Sequence, residues 1–264
     1  MLLKILFGVR LELLLANLRR ECKDIRLLLL TPFVDNAAEI ATWLGGDRGA
    51  PINIAWRPSR LMIGLAKRAG RKPHGAFEIT WREPHSERPD PQRSSLPVTA
   101  DAGSLSSSRD KVVYLARRFV NLGPVLGFFS ASKSDPEKTA AEIAEGHDLL
   151  SWQQSTPGLR LAIALAQVDY GTESVLARCL QRGVAFHHAA LSSELRFLIE
   201  DQVRAGTIAF IAATSTLAQG MNFPVSTVLV HSVHKPRGGG DLTAGDFWNI
   251  AGRASDVANP GDVF

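Results

Sequence analysis

The chain is 264 residues long, 45% hydrophobic and 21% charged, with a net charge of +4 and a pI near 9.3. These are the values of an ordinary globular protein, long enough to bury a core in one large domain or two small ones, and the mildly basic balance permits contact with a phosphate backbone without requiring it. Cys22 and Cys179 stand far apart with no C-x-x-C and no histidine at ligand spacing, which argues against a disulfide framework or a zinc site and for free thiols in a reducing compartment.

Met1–Val9 is apolar but too short to cross a bilayer, and no small-residue cleavage site follows it. The expectation is an intracellular, cytoplasmic protein that is soluble and whose upstream half is absent. Leu11, Leu14, Leu15 and Leu18 form a helical stripe with arginines opposite. Ile25–Leu30 is a continuous apolar run of the kind that makes a strand buried on both faces. Ala37, Ile40, Ala41 and Leu44 mark a short helix closed by Gly45-Gly46, and Ile52–Trp56 reads as another strand. From about Lys67 to Asp110 the period dissolves among prolines and a serine run, leaving one possible strand at Phe77–Trp81. A flexible linker over 67–110 is predicted.

Order returns at Lys111. Helices are predicted over 111–121, 136–145, 159–168, 173–182, 192–204 and 243–253, and strands over 125–129, 184–187, 208–212 and 225–231, with one more beginning at Gly261. Strands alternating with helices imply an α/β fold: a parallel sheet with helices on both faces, preceded by a partial α/β segment.

The loops after such strands carry the polar residues. Gly183–Ser192 holds His187 and His188 at a strand-to-helix junction, with Arg196 one turn into the helix. The loops beyond the carboxyl ends of parallel strands are where these sheets take ligands, so the histidines are candidates for packing and capping or for touching phosphates. Thr214, Ser215 and Thr216 follow a strand; their hydroxyls and N–H groups could receive a phosphate at a helix N-terminus or simply cap that helix. Val125–Phe129 likewise ends in the hydroxyl of Ser130.

The string T-S-T-L-A-x-G-x-N-x-P over 214–224, followed by Asn249-Ile250-Ala251-Gly252-Arg253, resembles motifs V and VI of the superfamily 2 nucleic-acid helicases. F-H-H-A-A-L over 186–191 with Arg196 resembles a segment of their Ski-like DExH branch, Ala190 replacing the usual glycine. The resemblance implies RecA-like folding over 111–264, and over 1–66 the end of a first RecA-like domain. It implies that Ser130, His188, Arg196, Thr214, Ser215 and Thr216 meet a single strand of DNA or RNA. Gly220, Asn222, Asn249, Gly252 and Arg253 would face the nucleotide. Arg253 would be the catalytic residue, an arginine finger on the γ-phosphate of ATP bound with Mg2+. Asp256 occupies the place of a second arginine; at about 5 Å and an effective dielectric of about 20, a carboxylate facing a phosphate charge costs on the order of 3 kcal/mol. Thr31-Pro32-Phe33 replaces the family's Ser-Ala-Thr.

No G-x-x-x-x-G-K-[ST] phosphate loop and no Asp-Glu pair for magnesium is present. The implied function is therefore part of an ATP-dependent helicase whose partners are a nucleic-acid strand and the missing first domain, with no ATP hydrolysis by this chain alone and no firmly bound cofactor. A degenerate, non-catalytic helicase-like domain that binds single strands or a partner subunit is the alternative. An unrelated doubly wound enzyme would need another catalytic set, and no G-x-S-x-G, H-E-x-x-H or G-x-G-x-x-G occurs.

Overall fold

The computed structural model describes residues 8–22, 24–29, 36–46, 49–52, 62–69, 76–82, 92–97, 105, 107–130, 134–148, 150, 154–214, 225–234 and 240–252. The chain divides into two compact units, Met1–Pro58 and Ser59–Phe264.

The first unit contains α1 (Gly8–Glu21) and α2 (Ala37–Gly45). Leu15 and Ile40 are its buried apolar residues, and Arg19 donates to the Trp43 carbonyl to tie the two helices together. The expected strand at Ile25–Leu30 does not form: residues 25–29 are unpaired and Leu28 is 76% exposed. A continuous apolar run becomes a buried strand only when neighbours satisfy its N–H and C=O groups on either side, and no strand is described in this unit to do so. Ile52 is likewise exposed; the rest of the strand expected there lies outside the described residues.

The second unit opens with β1 (Ile63–Ala69), β2 (Ala76–Arg82) and β3 (Gln92–Pro97), paired antiparallel in that order, where the sequence predicts a linker. The cause is visible in β2. Phe77, Ile79 and Trp81 alternate with Glu78, Thr80 and Arg82, so one face of the strand is apolar and needs cover. Neighbours rich in Gly, Ala, Ser and basic residues supply that strand's backbone partners rather than apolar mass. Gly64 lies opposite Trp81, and a Cβ there would come within 2.7 Å of the indole, so only glycine lets the ring lie flat on β1.

Next come α3 (Ser108–Phe119), β4 (Val125–Phe129), α4 (Ser134–Glu145), α5 (Pro157–Tyr170), α6 (Val175–Leu180), β5 (Val184–His187), α7 (Ser193–Arg204), β6 (Phe210–Thr214), β7 (Thr227–Val230) and α8 (Ala244–Ala251). The starts of α3, α5, α6, α7 and α8 are marked by capping side chains. Ser107 and Asp110 form a reciprocal capping box on α3, as Thr243 and Asp246 do on α8. Thr156, Ser174 and Ser192 accept N–H bonds at the starts of α5, α6 and α7.

The second sheet is parallel throughout, in the order β5-β6-β4-β7. The path from β4 to β5 and the path from β5 to β6 cross it in opposite directions. Right-handed crossovers then place α4 and α7 on opposite faces. Phe129, Phe210, Ile211, Ile143, Leu159 and Leu195 are fully buried between these layers. The turn from α6 into β5 depends on Gly183, at φ +67 with its Cβ position 3.0 Å from the Thr207 carbonyl oxygen; a side chain there would be both strained and crowded. The small sheet packs on α3 through Phe77, Ile79, Tyr114 and Leu115. Among the described residues no helix is long and apolar enough to cross a membrane.

Cys179 is buried, and burial pushes its thiol up to about 12, whereas Cys22 is exposed. A disulfide reagent at neutral pH should therefore label one thiol of the native protein at once and the second only on unfolding; rapid labelling of both would show that α6 opens readily.

Candidate nucleic-acid interface at the carboxyl edge of the parallel sheet

All four parallel strands end on the same edge, and each is followed by a polar residue. Phe129 pairs with Thr214, so Ser130 and Thr214 stand at adjacent strand ends, and His187 pairs with Ala213, so His188 is one step beyond the same line. His231 follows β7, donating its N–H to the Phe128 carbonyl. The fold thus brings Ser130, His188 and Thr214 together on the ligand-taking edge of an α/β sheet.

Their side chains are already engaged. Ser130 Oγ donates to the His234 carbonyl at 2.5 Å. His188 is buried and stacked against Phe186 at 5.4 Å between centroids. Its Nδ1 accepts the Ala190 N–H at 3.2 Å, which leaves the proton on Nε2, and that nitrogen donates to Glu137 Oε1 at 2.8 Å. A phosphate contact by this imidazole would require one of those bonds to break. Here His188 fastens the loop after β5 to the first turn of α4.

His187 points to α7. Its Nε2 lies 2.8 Å from Glu200 Oε1, with both side chains buried. Burial pushes His187 down to about 4, assisted by the positive charge of Arg196 and by His188, so the ring is neutral at pH 7. Burial pushes Glu200 up, opposed by Arg204 and Arg196. The neutral imidazole therefore donates Nε2–H to the carboxylate, and Nδ1 is left buried with no hydrogen-bond partner among the described residues. Arg196 is half-buried one turn before Glu200 on the same helix, and its Nε is also buried without a hydrogen-bond partner among the described residues. A guanidinium withdrawn from water in this way attracts an anion.

Beyond β7, His234 and Asp241 form an antiparallel bridge and a side-chain pair that lead the chain into α8. Asn249 is half-buried in the last turn of that helix, and Gly252 caps its end with an N–H to the Trp248 carbonyl. Ser215, Thr216, Gly220, Asn222 and Arg253 lie outside the described residues.

Three residues not anticipated from the sequence belong to this edge. Glu137 holds His188, Glu200 holds His187, and His231 stacks on Phe129 at 4.9 Å. His231 is lowered by burial, with Asp135 raising it and Arg109 lowering it. Glu137 and Glu200 sit at ordinary helix positions, and nothing local distinguishes them from solvent-facing carboxylates; only His231, a histidine ending an apolar strand, repeats the pattern that marks His187.

No protein-family profile matches the chain. Among curated proteins it is 27% identical to the Hachiman protein HamB of Bacillus cereus over 257 residues, covering 92% of this chain and 23% of HamB. It is 29% identical to the ATP-dependent DNA helicase Hel308 of Methanocella arvoryzae (84% of this chain, 27% of that protein). It is 24% identical to the ATP-dependent DNA helicase MER3 of Saccharomyces cerevisiae (84% and 16%). Over most of its length the chain is thus similar to DNA helicases of superfamily 2. Its parallel sheet with helices on both faces is the α/β layer that this resemblance implies. The chain spans between 16% and 27% of the length of these relatives.

Proposed function

We propose that the chain forms the strand-gripping, arginine-bearing side of an ATP-dependent DNA motor, the relatives Hel308 and MER3 being named as DNA helicases. In this reading residues 1–66 close a first RecA-like domain and 111–264 make up the second. Ser130, Thr214, Ser215, Thr216 and Arg196 hold the phosphates of one strand, with His188 fixing the loop that leads from β5 to the helix carrying Arg196. Gly220, Asn222, Asn249 and Gly252 face the nucleotide, and Arg253, directly after the capped end of α8, supplies positive charge to its γ-phosphate. When bound, ATP supplies the free energy for closing the two halves on each other.

The observation that carries the strand-binding reading is Arg196, which follows the carboxyl end of β5 and whose Nε is buried without a hydrogen-bond partner among the described residues. Its positive charge is felt by both members of the buried His187–Glu200 pair, which sets the cation beside the end of β5.

Fluorescence anisotropy with a labelled oligo-dT strand provides the test. Affinity should fall with salt, because phosphates exchange counterions for protein cations. Arg196→Ala should weaken binding roughly tenfold, the loss of one charge-assisted hydrogen bond of about 1.5 kcal/mol, and should reduce the salt slope by about 0.7. An unchanged affinity and slope would remove Arg196 from the interface. The second reading, a non-catalytic strand-binding domain, is favoured by Asp256 and by Thr31-Pro32-Phe33. Arg253→Ala in the full-length motor separates the two: lost turnover with intact strand binding supports the motor, unchanged turnover the degenerate domain.

A further inference from the structure

Helix α7 carries Arg196, Glu200 and Arg204 at successive four-residue steps, so one carboxylate stands between two guanidiniums along one side of the helix. An exposed glutamate at that spacing pairs with either cation. Glu200 is buried instead, and it gives Oε1 to His187 Nε2 at 2.8 Å, joining α7 to the last residue of β5.

The two arginines are not equivalent. Arg204 lies exposed in the last turn, whereas Arg196 is half-buried one turn into the helix. The charge of Arg196 is felt at His187 and at Glu200, that of Arg204 at Glu200 and not at His187. Arg196 is therefore the cation on the His187 side of the carboxylate.

A buried carboxylate needs a donor. While the imidazole supplies one, Glu200 has no call on a guanidinium, and Arg196 Nε stays buried without a hydrogen-bond partner among the described residues. His188 cannot take over, because its Nε2 is bonded to Glu137 and its Nδ1 to the Ala190 N–H. With the imidazole removed, the nearest N–H groups belong to Arg196, one turn along the same side of α7. A charge-assisted pair between the two would be strong. A phosphate could then reach the cation only by breaking that pair.

We propose that His187 is a positioning residue for the strand-binding cation: by holding Glu200 it keeps Arg196 available to phosphate. This role rests on the strand-binding reading of Arg196, and it adds a buried residue that itself never meets the strand.

Anisotropy titrations of the labelled oligo-dT strand test it, with each variant first shown to be folded by a urea melt. Arg196→Ala sets the scale, a loss of roughly tenfold. His187→Leu, apolar and of similar size but donating nothing, should lose as much and show the same reduced salt slope. Adding Glu200→Gln to His187→Leu removes the competing charge and should return the affinity to within about twofold of the parent. His187→Gln, whose amide can still donate to Glu200, should bind like the parent. A histidine that merely packs would leave the double variant no better than the single one. Should His187→Leu not fold, His187→Asn, too short to reach Glu200, replaces it. Parent-like affinity in His187→Leu, a loss that Glu200→Gln does not restore, or an equal loss in His187→Gln would overturn the proposal. If Arg196→Ala itself binds like the parent, the strand-binding reading fails and this role with it. A loss there with none in His187→Leu sinks the positioning role alone.

Discussion

Phe210→Ala should destabilise the second unit by roughly 3–5 kcal/mol, measured by urea unfolding followed by circular dichroism. Phe210 is fully buried on β6, which runs between β5 and β4, where it pairs with Val184 on one side and Val125 on the other. Its ring tip lies 3.0 Å from the Cβ position of Gly127, so the sheet leaves space for this ring and for no larger group. Truncation removes the apolar contact and leaves a cavity that paired strands on both sides cannot collapse to fill. Phe197→Ala, the same chemistry on the outer surface, should stay within about 0.5 kcal/mol of the parent. Comparable losses at the two positions would mean that β6 is not the centre of the core.

The second large effect is on acid stability. His187 titrates at about 4 in the folded protein against an ordinary value of 6.5. Between those values the unfolded chain takes up a proton that the fold refuses, so stability must fall as pH drops through that window. The full difference is worth roughly 3 kcal/mol. Glu200 works the other way: its raised value makes its contribution present below 4.5 and lost as pH rises through the folded value, which offsets part of the slope. His187→Gln places an amide N–H near the position of Nε2, keeps the bond to Glu200 and removes the titration. The stability difference between parent and His187→Gln should therefore shrink by about 3 kcal/mol as pH is lowered from 7 to 4. A difference constant across that range would show that the imidazole reaches water.

The parallel sheet was legible because its strands are apolar runs punctuated by turn residues, and because Ser192 caps the following helix in both sequence and structure. The same signal misled at Ile25–Leu30, since an apolar run states what must be covered and not what covers it. The β1–β3 sheet failed for the opposite reason: Phe77, Ile79 and Trp81 announce one strand, but its two partners are recruited by backbone hydrogen bonding and carry little pattern of their own. At the carboxyl edge, polar residues following buried strands located Ser130, His188 and Thr214. What those residues touch was not readable, because His188 meets Glu137 from 51 positions away and His187 meets Glu200 through a helix packed across the sheet. The expectations for Gly220, Asn222 and Arg253 rest on resemblance and lie beyond the described residues.

Helix α3 serves both sheets, one on each of its sides. Val112, Val113 and Ala116 sit in the large core, Tyr114 and Leu115 in the small one, while Phe119 and Leu229 border both. A push on the antiparallel strands is therefore felt at β7 through Leu229, a short mechanical route from a surface hairpin to the strand whose end carries His231. Whatever leans on those antiparallel strands leans too, by way of Leu229, on the tips of the parallel ones.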